Sequence, residues 1–289
     1  MFSLGRTFIQ GIFPVLTVLS FGKMPSLLAL AWTTLFACIL FLILVAYKNL
    51  WHELRNFLLW KYISVTVIFI SVMYYGLIFA GLALTSAGNG GIISLCEILT
   101  SYLFFNLIRK EYFSNDNKLG ALLMMLGAVL VLAPNIQEFN KGDFLVLLSV
   151  FFPPIGNLYQ RKAKEIASSI TIIFLRTFMS LPLLFLLAYA FGQHASYEVF
   201  KISLPFLILN GVIYFGLEKI LFLGAISRIS VTKTLSLGSI APFITLITAW
   251  LIFHQVPTFW QVTSLIPLTL GVLLLTNNLK LKKEPIPVS

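Results

Sequence analysis

Leu35-Phe36-Ala37-Cys38-Ile39-Leu40-Phe41-Leu42-Ile43-Leu44-Val45-Ala46 contains no charged side chain and no alternation of apolar with polar residues. A strand of a closed membrane barrel would alternate lipid-facing and lumen-facing positions with a period of two. The unbroken run, extended upstream to Ser26, reads instead as a helix. Crossing ~30 Å of hydrocarbon takes about 20 mostly apolar residues in that form. Cutting the rest of the chain at its polar and Pro/Gly interruptions yields ten such segments: 4–21, 26–47, 61–82, 89–108, 118–134, 143–161, 168–191, 203–225, 230–253 and 260–278. The connections are short, and none is long enough to form an extramembrane domain. The expected class is an all-α integral membrane protein with ten transmembrane helices.

Composition points the same way. Of 289 residues, 59% are apolar and 10% charged, with a mean hydropathy of +0.96. A soluble domain carries roughly 25% charged residues to hydrate its surface. The 20 basic and 10 acidic side chains here are too few to coat a globule of this size. A soluble enzyme, a nucleic-acid binder and a disordered tail protein are excluded together. Cys38 and Cys96 both lie in apolar runs, which provides neither a disulfide framework nor a metal-ligand spacing. The N-terminal stretch Met1-Phe2-Ser3-Leu4-Gly5-Arg6 leads into an apolar run without a small-residue cleavage site, and reads as an uncleaved first helix.

Charge placement orients the bundle. The turns 22–25, 83–88, 135–142, 192–202 and 254–259 hold only three basic residues, Lys23, Lys141 and Lys201. The opposite side holds Arg6, Lys48, Arg55, Lys61, Arg109, Lys110, Lys118, Arg161, Lys162, Lys164, Arg228, Lys280, Lys282 and Lys283. That asymmetry follows the positive-inside rule and places both termini in the cytoplasm. The net charge of +10 is thus accounted for by orientation, without an acidic partner.

The ten segments also divide into two fives. Residues 83–135 overlay 227–279 at a constant offset of 144, about half the chain, with Ser86 on Ser230, Gly127 on Gly271 and Leu130 on Leu274. Identities in so Leu-rich a chain weigh little; the matched helix and turn lengths weigh more. An odd number of helices per half makes the second half enter from the opposite side, giving an inverted repeat. The expected division is a first repeat at 1–142, a second at 143–279 and a cytoplasmic tail at 280–289.

At these residues the chain resembles the drug/metabolite transporter superfamily, in its ten-helix EamA-domain branch. The stretch from Thr85-Ser86-Ala87-Gly88 to Glu111, with Gly120-Ala121-Leu122 and Gly127-Ala128-Val129-Leu130, is similar to the family's fourth and fifth helices. Ile229-Ser230-Val231 through Gly271-Val272 is similar again, with the helix-9 proline at Pro242. Gly156-Asn157-Leu158-Tyr159-Gln160-Arg161-Lys162 looks like the helix-6 exit, and Arg176 stands where the family often has an arginine in helix 7. The first copy departs from the pattern with Ile98, preceded by Glu97, where Pro242 would match. Gln255 replaces the second closing acid, and Trp32 stands opposite Arg176. The resemblance implies a transporter of small metabolites or drugs and does not choose among them.

Ionisable groups inside membrane helices cost about 2.5–3.5 kcal/mol at the centre on insertion scales, so they head the search for a site. Glu97 lies near the middle of helix 4, on a stripe with Gly90, Ser94 and Ser101. It could hold a substrate amine or carry a coupling proton; the plain alternative is a neutral carboxyl bonded across the bundle. Asn210, Tyr214 and Glu218 share a face of helix 8, and Glu218 is divided evenly between substrate and structural roles. Lys219 diverges from that face by about 100° and is expected to snorkel or pair with an acid on a neighbouring helix. Arg176 is expected to pair with Glu218 or lock the bundle, and Lys233 to snorkel.

Helix breakers mark the expected cavity. Pro14 with Thr7, Gln10 and Thr17 forms a polar stripe on helix 1; Pro153-Pro154 with Asn157 and Gln160 forms one on helix 6. Those helices are equivalent in the two repeats, so paired breaks are expected there. Tyr74, Tyr75 and Tyr214 can wall the site and face a cation, although packing is the commoner use of an aromatic. His52, His194 and His254 have no ligand spacing, so no metal and no cofactor are expected.

The expectation is a secondary carrier that exports amino acids or amines, or another small polar or cationic metabolite or drug, by alternating access. Its partners would be a small-molecule substrate, the lipid bilayer and, in a coupled mechanism, a proton, with no nucleic acid. A monomer in a bacterial inner membrane is expected. Facilitated or exchange uptake of an organic nutrient is the alternative within the class. A membrane-embedded lipid-modifying enzyme is the alternative outside it, disfavoured because clustered His, Asp or Glu at one interface is missing.

Overall fold

The computed structural model describes residues 2–22, 24–109, 114–132, 140–227 and 238–276. Among them, helix occupies each of the ten predicted segments and no strand is present. The helices are α1 (Phe2–Phe21), α2 (Ser26–Tyr47), α3 (Phe57–Leu82), α4 in two pieces (Ala87–Ile93 and Cys96–Arg109) and α5 (Asn115–Leu132). They continue with α6 in two pieces (Lys141–Ser149 and Pro153–Lys164) and α7 (Ser169–Ala190). Then come α8 (Tyr197–Leu209, Asn210–Glu218 and Lys219–Ile226), α9 (Ala241–Phe253) and α10 (Phe259–Leu275). The tail 280–289, Lys233, Glu111 and the Ile229-Ser230-Val231 motif lie outside the described residues.

Among the described residues six helices are long and apolar enough to cross a membrane: α2, α3, α5, α6, α7 and most of α8. Their outward faces carry Leu42, Ile43, Leu122, Val129, Leu186 and Ile202, all exposed. A soluble monomer rarely leaves apolar patches on that scale uncovered. The interior is built from Phe41, Ile63, Ile92, Ile172 and Leu268, each fully or almost fully buried.

Irregular backbone recurs at one spacing. A widened π-helical turn occupies Val67–Tyr74 in α3, and another occupies Asn210–Glu218 in α8; a shift of 144 carries the first to 211–218. The non-helical step at Ser94 and Leu95 in α4 shifts to 238–239, where the chain makes a turn over 238–240 before α9. Helix α5 shifts to 259–276, against Phe259–Leu275 for α10. These irregularities differ from the expected pairing of breaks in helices 1 and 6. Helix α1 runs continuously through Pro14, while α6 is interrupted over 150–152, just before Pro153. Proline removes one backbone donor without forcing a break. Nearby in α1, the Gly11 carbonyl accepts from the Thr245 hydroxyl of α9 at 2.6 Å, an interhelical bond that holds this turn against its neighbour.

Close approach between helices rests on glycine. A methyl placed on Gly271 of α10 would stand 2.6 Å from the Gly120 carbonyl oxygen of α5. One placed on Gly120 would stand 2.8 Å from the Gly271 oxygen. Small residues at such crossings let backbones pack closely where lipid supplies no hydrophobic drive between helices. Gly271→Ala is therefore expected to destabilise the fold by about 1–3 kcal/mol through overpacking. Gly224→Ala, whose added methyl meets nothing within 4 Å, should leave thermal melting unchanged.

A polar clasp lies beyond the apolar spans. The Glu53 carboxylate, in the turn Leu50–Arg55, accepts from both the backbone N–H and the hydroxyl of Ser168 at 2.9 Å. Ser168 caps α7 in turn. Partial burial works against the charged carboxylate, but hydrogen bonds from Thr171 and Ser168 and the charge of His52 outweigh it and hold Glu53 below its ordinary range. A depressed folded-state value means stability present above the ordinary Glu value of about 4.3 and lost as pH falls through the folded one. Thermal melts of Glu53→Gln should thus fall below wild type at pH 7, and the gap should close as the pH drops below that range.

Candidate functional site

The π-turns of α3 and α8 and the break in α4 converge on the bundle centre. A π-turn puts an extra residue into the helical repeat and re-aims the side chains around it. Here Tyr74, Tyr214 and Glu218 all fall within such turns. They wall a cavity of two small lobes, of about 40 and 30 Å³, that share Gln10, Tyr74, Glu97 and Tyr214. The first lobe extends towards Arg6, Gln160, Arg176, Lys219 and Phe222; the second towards Pro14, Ser94, Pro242 and Thr245.

Of the expected site residues, Glu97, Ser94, Gln10, Pro14, Tyr74, Tyr75, Asn157, Tyr214 and Glu218 line one lobe or both. Ser101 does not: it is fully buried on α4, away from either lobe, and its hydroxyl has no partner. The α-helical stripe that grouped it with Glu97 is broken by the step at Ser94 and Leu95, so the positions no longer lie on one regular helix face. Ser94 itself turns its hydroxyl back to the Gly90 carbonyl at 2.6 Å.

Glu97 is half-buried and flanks both lobes. Its Oε2 accepts from the Tyr74 hydroxyl at 3.1 Å, and its Oε1 from Asn157 Nδ2 at 3.5 Å, a long bond. Among the described residues no lysine or arginine stands within ion-pair distance of it. The hydrogen bonds continue through the amides. Gln160 Nε2 donates to Asn157 Oδ1 at 3.3 Å, and Arg176 Nη1 donates to Gln160 Oε1 at 3.2 Å. A guanidinium and a carboxylate thus sit at opposite ends of a chain of two amides, with every donor pointing towards Glu97.

Three basic residues assigned by sequence to orientation or packing lie in the first lobe. Arg6 is 4% exposed; its Nε donates to Glu218 Oε1 at 3.0 Å, and its guanidinium lies over the Phe222 ring at 5.0 Å. Lys219 pairs with the other oxygen of Glu218 and stands 4.1 Å from the centre of the Tyr214 ring. Lys219 therefore does not snorkel. It begins the α-helix that follows a π-turn, and its four-carbon stem reaches back to the same carboxylate. Arg176 is not the partner expected for Glu218, because Arg6 and Lys219 already occupy both carboxylate oxygens. Arg6 was hidden by its place near the chain start, where a basic residue ordinarily orients the helix. The second acid four residues after Tyr214 was the available signal that a cation had to be close.

At the end of the bundle poor in basic residues, a second polar group joins the halves. Asp143, 2% exposed, accepts from the Thr85 hydroxyl and from Asn89 Nδ2 at 3.2 Å. Asn89 Oδ1 accepts from Gln261 Nε2 of α10 at 2.7 Å. Nearby, a methyl on Gly91 of α4 would come within 2.8 Å of Thr245 of α9. The first piece of α4 thus meets α9 at Gly91–Thr245 and α10 at Asn89–Gln261, beside a cavity lined by Ser86, Asn89, Leu246, Ala249 and Gln261. Among the described residues no group of His, Cys, Asp and Glu has the arrangement of a metal site.

Breaking a buried ion pair by removing one partner costs about 3–5 kcal/mol, because the remaining charge stays desolvated. Glu218→Gln strands two cations and should lower stability by that order in a denaturant titration of the detergent-solubilised protein. Adding Arg6→Met to Glu218→Gln should recover part of the loss.

No curated protein matches the sequence. A solved structure, described only as the crystal structure of a protein, is similar over 96% of this chain and 96% of its own, with a TM-score of 0.72 at 16% identity. At that identity the likeness concerns the fold alone. The model of the EamA-like transporter family matches residues 1–133 and again 140–277. With both halves matched and apolar helices of membrane-spanning length, the chain is an integral membrane protein and belongs to the EamA-like transporter family.

Proposed function

We propose that the protein is a secondary carrier that exports a small amine-bearing metabolite, of the amino-acid or amine class, by alternating access, with Glu97 as the group that receives the substrate's ammonium. The observation that carries this reading is the setting of Glu97: a half-buried carboxylate at a helix break, open to both lobes and backed by neutral donors only. Glu218, the other carboxylate of the cavity, is already held by two cations. A cationic ligand reaching the cavity therefore finds its complement at Glu97, beside the Tyr74 hydroxyl.

The reading takes the chain as two inverted five-helix repeats, 1–142 and 143–279, with ten membrane crossings. The repeat spacing of the π-turns and of the breaks in α4 and α9 supports it. It places both termini in the cytoplasm of a bacterial inner membrane and treats the monomer as the working unit. Supporting that orientation is the concentration of basic residues at one end. The Asp143–Asn89–Gln261 network would then close the outer side, and its rupture would accompany the outward-open state. A proton and an ammonium compete for one carboxylate, so Glu97 can exchange the one for the other, and substrate leaving would be driven by protons entering. The activity is transport without chemical change of the substrate.

In proteoliposomes, wild-type protein should move a radiolabelled amine or amino acid against its gradient when a pH difference is imposed. Glu97→Gln keeps the size and part of the hydrogen bonding of the side chain but not its charge. It should cut flux roughly tenfold or more and abolish the response to pH, with an unchanged melting profile. Flux equal to wild type in that variant would remove Glu97 from the mechanism.

A further inference from the structure

Arg176 is 1% exposed, yet it lines the first lobe. Among the described residues only Nη1 of its three nitrogens has a partner, Gln160; Nε and Nη2 are buried and make no hydrogen bond there. Those two are the adjacent nitrogens whose N–H bonds run side by side along one edge of the guanidinium. Two parallel donors on one edge match the two oxygens of a carboxylate, the bidentate pairing in which arginine exceeds lysine. The other cations of the lobe, Arg6 and Lys219, are engaged by Glu218.

We propose that Arg176 is the anion-binding half of the substrate site, taking through Nε and Nη2 the carboxylate of a zwitterionic substrate whose ammonium rests on Glu97. The proposal depends on the Glu97 reading and narrows its substrate class from amines in general to amino acids. The two amides of Asn157 and Gln160 stand between the charges, bonded to each in turn. They hold Glu97 and Arg176 apart so that the two do not neutralise one another, and each remains available to its complement on the substrate. A ligand with one charge satisfies one end of the chain; a zwitterion satisfies both.

The full-length protein in lipid nanodiscs is to be titrated by calorimetry and thermal melting. The probes are the twenty standard L-amino acids, 4-aminobutyrate and 6-aminohexanoate, their methyl esters, the matching amines, and potassium chloride and acetate. At least one zwitterion should bind, and its methyl ester should bind roughly tenfold more weakly or worse, a comparison that needs no variant. Arg176→Lys keeps the charge without the paired donors, and Arg176→Gln removes both. Each should weaken the zwitterion by a similar factor and leave the ester's affinity as in wild type. Equal affinity for acid and ester, or wild-type binding by Arg176→Lys, overturns the proposal. So does stabilisation by chloride or acetate as large as by any zwitterion, which would identify an inorganic anion as the occupant. Amines that bind wild type but not Glu97→Gln, with no zwitterion preferred over its ester, would leave Glu97 standing and remove Arg176. A zwitterion lost in the Arg176 variants but retained in Glu97→Gln would do the reverse. Binding by none of these probes defeats both.

Discussion

The Arg6–Glu218–Lys219 cluster is the interaction on which the centre of this bundle depends. Two cations from helices α1 and α8 share one carboxylate, all three almost fully buried. Desolvating three charges is expensive, and their mutual attraction repays it only while all three remain in place. The cluster therefore holds the start of the chain to its second half, over a sequence separation of 212 residues. It also occupies Glu218, which leaves Glu97 as the carboxylate of the cavity with no cation at ion-pair distance among the described residues. A change in the pairing of Glu218 would change the charge presented to anything that enters.

Irregular backbone does the rest of the positioning. In a hydrocarbon environment a helix is the default because it satisfies its own N–H and C=O groups. Departures from it persist where protein groups or a cavity compensate. Here the π-turns of α3 and α8 and the step in α4 all face the cavity, and they recur at the same spacing in the two halves. The same device thus appears twice, once on each side of the site. Glycine at the α5–α10 and α4–α9 crossings lets the supporting helices approach closely enough to hold these turns.

Much of this was legible in the chain. The helical class followed from Leu35–Ala46 and its like, since an unbroken apolar run leaves few structures open in lipid. Glu97 stood out because a carboxylate in such a run is costly, and Gln10, Asn157 and Tyr214 stood on polar or aromatic faces that had to turn inward. Other parts were not legible. The step at Ser94 and Leu95 has no proline to announce it, and it removed Ser101 from the face on which regular periodicity had placed it. Arg6 read as an orienting charge, and Lys219 as one that snorkels or pairs with an acid on a neighbouring helix, because each lies near the span's expected end.

The sequence by itself determined that the chain is a helical membrane protein and which apolar segments form its helices. Those properties depend on local composition and on the cost of placing polar groups in hydrocarbon, which act residue by residue. Only the tertiary structure decided which charges pair. Glu218 lies one residue from Lys219 but 212 from Arg6, and no periodicity along one helix reveals the second partner. The same holds for Arg176: whether a buried guanidinium is satisfied depends on what the neighbouring helices bring to it. Among the described residues they bring one amide and leave two of its buried nitrogens without a hydrogen bond.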